Sequence, residues 1–165
     1  MEGFVGSLVG LFHGVNKDLI IFIISMLPLL ESRGGLIAAA LLNVDFIPAF
    51  IISILGNILP MPFVLLFMEK ILEWLKKFKR FNNLIRKFEK KILSKREQID
   101  KYGYLGLLLF VGIPLPGTGA WTGAALAVLL HIDRKKSFAY IALGVLMASV
   151  IMSILSYGLL DKIIH

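Results

Sequence analysis

The chain has 165 residues, 58% apolar and 18% charged, with a net charge of +7. Soluble domains run near 45–50% apolar and about 25% charged, so an ordinary water-soluble fold, a disordered chain and a collagen are all excluded, and a single-domain integral membrane protein is indicated. There is no cysteine, and His13, His131 and His165 lie far apart; this excludes a disulfide framework and a thiolate metal site, and it leaves no metal or cofactor and no enzyme to expect.

Residues 1–15 are too short to span a bilayer, which takes about 20 residues, and they lack the basic start and A-x-A site of a signal peptide. They read as an interfacial helix. Gly6, Gly10 and Gly14 form one small face of the kind that allows close helix packing in lipid. Residues 18–44 are apolar but carry Pro28, Glu31, Ser32, Arg33, Gly34 and Gly35 in the middle. Residues 46–68 form a cleaner run containing Asn57, Pro60 and Pro62, and read as a transmembrane helix.

Residues 69–103 follow, holding 12 of the 18 basic residues and, with five acids, the whole net charge of the chain. Between apolar flanks such a block marks the cytoplasmic side rather than a nucleic-acid surface. Ile71, Trp74, Phe78, Phe81, Ile85, Phe88 and Ile92 recur at spacings of three and four. This reads as an amphipathic arm on anionic lipid, with a coiled coil as the alternative and a turn expected at Asn82-Asn83.

Residues 104–132 are again apolar and interrupted, by Gly112, Pro114, Pro116, Gly117, Thr118 and Gly119; Asp133-Arg134-Lys135-Lys136 follows, and residues 137–160 form a last transmembrane run. The order is broken run, plain run, arm, broken run, plain run. A shift of 88 residues lays Asn43-Val44-Asp45 on His131-Ile132-Asp133, Phe50 on Phe138 and Gly56 on Gly144, and a shift of 86 lays Pro28-Leu29 on Pro114-Leu115. The chain therefore reads as an internal repeat.

Each broken run is expected to enter the membrane and turn back. Pro114 and Pro116 remove backbone donors, the glycines permit reversal, and a charge at the centre of a spanning helix costs roughly 2.5–3.5 kcal/mol. Charge agrees: two re-entrant hairpins put Arg134-Lys135-Lys136 on the same side as the arm, whereas four crossings put them opposite. One crossing between the repeats makes them inverted, a transporter design. The expected fold is all-α: an inverted repeat of re-entrant hairpin plus transmembrane helix, multi-pass in the plasma membrane, with both termini outside and the arm cytoplasmic.

The two tips are the candidate substrate and ion site. Glu31 binds or relays a proton and Arg33 holds an anion, the alternative being an ion pair that only staples the tip. Gly34-Gly35 opens one half-helix. Pro114, Pro116, Gly117, Thr118 and Gly119 lead into another at Ala120, and helix N-termini favour anions. Ser32 supports the tip, Asn57 caps its backbone, and Trp121 packs or lines the cavity.

Leu30-Glu31-Ser32-Arg33-Gly34-Gly35 and the stretch from Gly112 to Gly123 resemble the two signature segments of the small multi-drug export protein family. More distantly, the chain resembles the DedA and VTT-domain membrane proteins, which have two re-entrant hairpins between spanning helices and are associated with moving phospholipids and polyprenyl phosphates, with a role for the proton gradient. The resemblance implies that Glu31 is the essential acid of the first hairpin. DedA proteins carry arginines in the second hairpin, where this chain has Gly117, Thr118 and Gly119, leaving Arg33 as the cation.

The leading expectation is a translocase or scramblase of lipid or lipid-linked anions. A proton-coupled multidrug exporter and a non-transporting membrane organiser are the alternatives. Expected partners are membrane lipids, a lipid or small anionic substrate and no nucleic acid, with a homo-oligomer formed through Gly6, Gly10 and Gly14 or the 71–92 stripe.

Overall fold

Asn16 starts the first helix by accepting the Asp18 amide on its side-chain oxygen at 2.9 Å, which satisfies one of the donors that a helix start leaves open. The computed structural model of the protein describes residues 16–94 and 96–164; the interfacial helix expected over 1–15, with its glycine face, lies outside them. The described residues are helical and contain no strand.

The helices are α1 (Lys17–Met26), α2 (Glu31–Leu41), α3 (Phe46–Ile58), α4 (Met61–Lys76), α5 (Lys79–Leu93), α6 (Arg96–Tyr102), α7 (Tyr104–Gly112), α8 (Ala120–Leu129) and α9 (Arg134–Ile164). They form two units, one running to Pro60 and resuming at Val145, the other from Met61 to Gly144. In the first unit α1, α2 and α3 pack on one another. In the second, α4 packs on α8 and α5, and α7 packs on α8 and α6.

Two helical stretches among the described residues are long and apolar enough to cross a bilayer, Phe46–Trp74 and Arg134–Gly158, with mean hydropathies of 2.2 and 2.3. Pro60 and Pro62 divide the first at Leu59–Pro60 into α3 and α4, as expected where proline removes donors. The two broken runs each become two short helices. At 1.5 Å per residue, lengths of 10, 11, 9 and 10 residues give about 15 Å each, half of a hydrocarbon core of about 30 Å.

The same local geometry occurs twice, 88 residues apart. Helix α2 ends with Asn43 at φ 51°, its amide on the Ala40 carbonyl and the Val44 amide on that of Ala39. Helix α8 ends with His131 at φ 53°, its amide on Val128 and the Ile132 amide on Ala127. Both are Schellman caps, and Asn and His are among the side chains that best tolerate a left-handed backbone. An aspartate follows each cap. Asp133 Oδ1 accepts the Lys136 amide at 2.8 Å, whereas Asp45 makes no such cap because the residue three further on is Pro48, which has no N–H.

Helix crossings match as well. A methyl at Gly56 would lie 2.6 Å from the Phe22 carbonyl oxygen and 2.9 Å from Ser25 Cβ; one at Gly144 would lie 2.9 Å from the Leu108 carbonyl oxygen and 2.7 Å from Val111 Cβ. Each site brings one helix onto a backbone carbonyl of another, an approach that small residues permit.

The arm differs from expectation. It is not one continuous stripe: α4 ends at Lys76 and α5 ends at Leu93, with turns at 77–78 and after residue 93. The turn expected at Asn82-Asn83 is absent, and both lie inside α5. Asn82 Nδ2 instead donates to the Lys76 carbonyl at 3.2 Å and so ties α5 to the end of α4. Leu72 and Ile85 are buried within the unit, while Ile71, Trp74, Phe78 and Leu84 face outward. Lys76 and Glu89 form an ion pair at 2.6 Å.

Candidate functional site

The connection from Leu27 to Leu30 reverses the chain between α1 and α2, and Glu31 begins α2. The helix therefore starts one turn before the Gly34-Gly35 opening expected from sequence. Glu31 has φ 54°, a region that costs a non-glycine residue of order 1–3 kcal/mol and collects at functional sites. Its carboxylate sits at a helix N-terminus, where the dipole favours negative charge, yet the residue is only 5% exposed. Arg33, two residues on, is half-buried.

Ser32 links this start to two other helices of the first unit. Its Oγ accepts from Asn57 Nδ2 at 3.3 Å and from Ser149 Oγ at 3.0 Å. Asn57 thus reaches the tip through a side chain and not by capping its backbone. Ser25, Ser53, Ser153 and Ser156 are also buried in the same unit. Ser25 Oγ donates to the Ile21 carbonyl at 2.7 Å and Ser153 Oγ to that of Ser149 at 2.7 Å. Gly34 and Gly35 serve packing: a side chain at Gly34 would strike Leu30 Cβ at 2.6 Å, and one at Gly35 would overlap Ser25 Oγ. The Ser53 Oγ and Asn57 Oδ1 atoms are buried with no hydrogen-bond partner among the described residues. Such atoms cost about 1–3 kcal/mol each and call for an explanation.

The second connection, Ile113 to Gly119, lies in the other unit and has a different chemistry. Pro114 and Pro116 supply no amide. The Thr118 hydroxyl lies 2.9 Å from the Ile113 carbonyl and 2.8 Å from that of Leu115, and accepts the Leu115 amide at 3.2 Å. Thr118 therefore holds the turn's own backbone together. Gly117 at φ 81° and Gly119 at φ 144° make the reversal, conformations that only glycine adopts freely. Helix α8 opens at Ala120 as expected, with the Gly123 amide on the Gly119 carbonyl at 2.8 Å. Trp121 is half-buried in its first turn.

A cation also reaches this second tip. Lys91 Nζ, from α5, lies 3.8 Å from the Cβ position of Gly117. Sequence alone points to Arg33 as the tip cation; Lys91 is one of twelve basic residues in the arm, and only the packing of α5 on α8 singles it out. At the same connection a cavity of about 210 Å³ is lined by Gly106, Phe110, Ile113, Leu115 and Thr118 among others.

Residues 31–151, most of the chain, match the family described as "Putative small multi-drug export protein". The chain belongs to that family. The match begins at Glu31, so it takes in Glu31 to Gly35 and the whole second connection, while Leu27–Leu30, Ser25, Ser153 and Ser156 lie outside it. The family's description is that of an exporter rather than an enzyme, and with the two apolar helical stretches it makes this chain a membrane protein. No curated protein and no solved structure matches it.

Proposed function

We propose that the protein exports small anionic or amphipathic molecules across the plasma membrane, coupled to protons, and that Glu31 is the group that carries the coupling. The observation behind this reading is Glu31 itself: a carboxylate 5% exposed, at a left-handed φ, in an apolar unit. Intramembrane ionisable residues are costly and mark function by default. A structural staple needs neither the strained backbone nor the polar atoms left without partners close by in the same unit.

The proposed architecture follows from the helix lengths. Helices of about 15 Å suit pairs that dip to mid-bilayer and return, so α1–α2 and α7–α8 are two re-entrant hairpins, and Phe46–Trp74 and Arg134–Gly158 are the crossings. The matched caps and glycines support a repeat, and a single crossing between the copies inverts it. In this arrangement the arm and Arg134-Lys135-Lys136 are cytoplasmic, both termini are outside, and each tip lies at depth in the bilayer. Arg33 then attracts the anion, and protonation of Glu31 sets whether it is kept.

A lipid or lipid-linked anion as the cargo is the second reading, favoured by the apolar cavity at the second connection. The test is efflux of an anionic amphipathic dye, or scrambling of a labelled phospholipid, from liposomes under a proton gradient. Glu31→Gln abolishes gradient-driven movement of whichever is the substrate while the protein stays monodisperse and helical, and Arg33→Ala weakens anion affinity. Wild-type rates from folded Glu31→Gln protein would leave Glu31 and Arg33 as a structural pair, and no transport of either cargo by the wild type would favour a membrane-organising role.

A further inference from the structure

Arg134 and Lys135 entered the sequence reading only as markers of orientation, and the site proposed above makes no use of them. Within the second unit they border a cavity of about 280 Å³ whose other lining side chains are Pro62, Leu65, Leu66 and Phe138. Its lining joins four apolar side chains to two cationic ones. Pro62, Leu65 and Leu66 lie on one side of α4 at spacings of three and four, and Phe138 lies one turn into α9 from Arg134, so charge and apolar surface are separated along the helices by about one turn, or about 5.4 Å.

We infer that this cavity binds an acidic phospholipid of the surrounding leaflet, with the phosphate between Arg134 and Lys135 and an acyl chain against Leu65 and Phe138. Charge complementarity selects the headgroup. Among the described residues, Glu69 Oε2 lies 3.7 Å from Arg134 Nη2, both half-exposed, and Lys136 is turned toward the Tyr104 ring, 5.9 Å from its centroid. An exposed pair of that length contributes about 0–1 kcal/mol and yields readily to a phosphate, which guanidinium groups grip in bidentate fashion. The four apolar side chains of the lining suit part of one acyl chain. Basic pockets between membrane helices on the cytoplasmic side recognise anionic headgroups in this way. The choice of leaflet rests on the membrane placement proposed above; binding itself does not.

The test uses the full chain in neutral detergent, titrated with dioleoyl phosphatidylglycerol or dioleoyl phosphatidylcholine and followed by thermal unfolding and native mass spectrometry. Phosphatidylglycerol should bind and raise the Tm, phosphatidylcholine should not, and inorganic phosphate alone should not replace it. Lys135→Gln should weaken phosphatidylglycerol binding about fivefold, and the double change with Arg134→Gln roughly thirtyfold. Leu65→Trp, which fills the cavity and leaves both cations, should also weaken it, whereas Lys87→Gln with Lys90→Gln on the arm should not. Equal binding of the two lipids, or phosphatidylglycerol binding lost with the arm lysines and kept without Arg134 and Lys135, would overturn the inference. So would full reproduction by phosphate, or no effect of Leu65→Trp, each of which removes the acyl chain from the site. Loss of transport in Glu31→Gln with lipid binding intact, or the reverse, separates this site from the one at Glu31.

Discussion

Helices α1, α2 and α3 and their counterparts α7, α8 and the start of α9 share a skeleton but not a chemistry. Their Schellman caps use corresponding carbonyls, and Gly56 and Gly144 meet corresponding backbone oxygens. At matched positions, however, the first set has Ser25, Glu31, Ser32, Ser53 and Asn57 where the second has Val111, Gly119, Ala120, Ile141 and Val145. Caps and glycine contacts are what the backbone needs to turn and cross, and both sets have them. The carboxylate and the hydroxyls at these positions are not needed for that, since the second set packs without them there. Their cost in the first copy is the strongest physical reason to place function there.

The largest expected effect tests the shared skeleton. Gly56→Ala and Gly144→Ala both push a methyl against a backbone carbonyl that cannot rotate away, so each should destabilise by about 1–3 kcal/mol and lower the Tm in detergent by several degrees. A loss at one position only would break the correspondence. Chemistry is tested next. Asn57→Leu removes a buried oxygen that lacks a partner along with a long 3.3 Å bond, so stability should change by less than about 1 kcal/mol while transport falls. Val145→Asn makes the opposite exchange and should cost about 1–3 kcal/mol by burying an amide.

The caps give a finer contrast. Asp133→Ala should cost about 1 kcal/mol by freeing the Lys136 amide, whereas Asp45→Ala should cost a few tenths at most, because Pro48 has no amide to free. The two unfolding curves, measured side by side, decide it; equal losses would refute the capping account. Smallest of all, Ser137 carries a buried hydroxyl with no hydrogen-bond partner among the described residues, and the matched residue is Ala49. Ser137→Ala should leave the Tm unchanged or raise it slightly, by up to about 1 kcal/mol; a clear fall would mean that the hydroxyl has a partner.

Much of this was written in local sequence. Pro28 and the Pro114-to-Gly119 stretch announced the two breaks because proline and glycine act on the backbone where they stand, and the 88-residue match of Asn43-Val44-Asp45 to His131-Ile132-Asp133 marked a cap that is itself local. What stayed hidden depends on tertiary placement. Asn82-Asn83 looks like a turn until Asn82 finds the Lys76 carbonyl. The bond from Ser149 to Ser32 joins residues 117 apart, and a serine in an apolar run gives no sign of whether it faces lipid or a buried partner. Lys91 and the cavity at Arg134 likewise exist only once α5, α4 and α9 have packed.

The account stands most directly on the two helix pairs turning back within the bilayer, which puts the arm and the start of α9 on one side. The chain has no native cysteine, so Lys87→Cys and Lys135→Cys can each be labelled without background by a membrane-impermeant maleimide in sealed, oriented vesicles. The account predicts that both label from the same, cytoplasmic side; labelling from opposite sides would mean that the broken runs cross the membrane, and would contradict it.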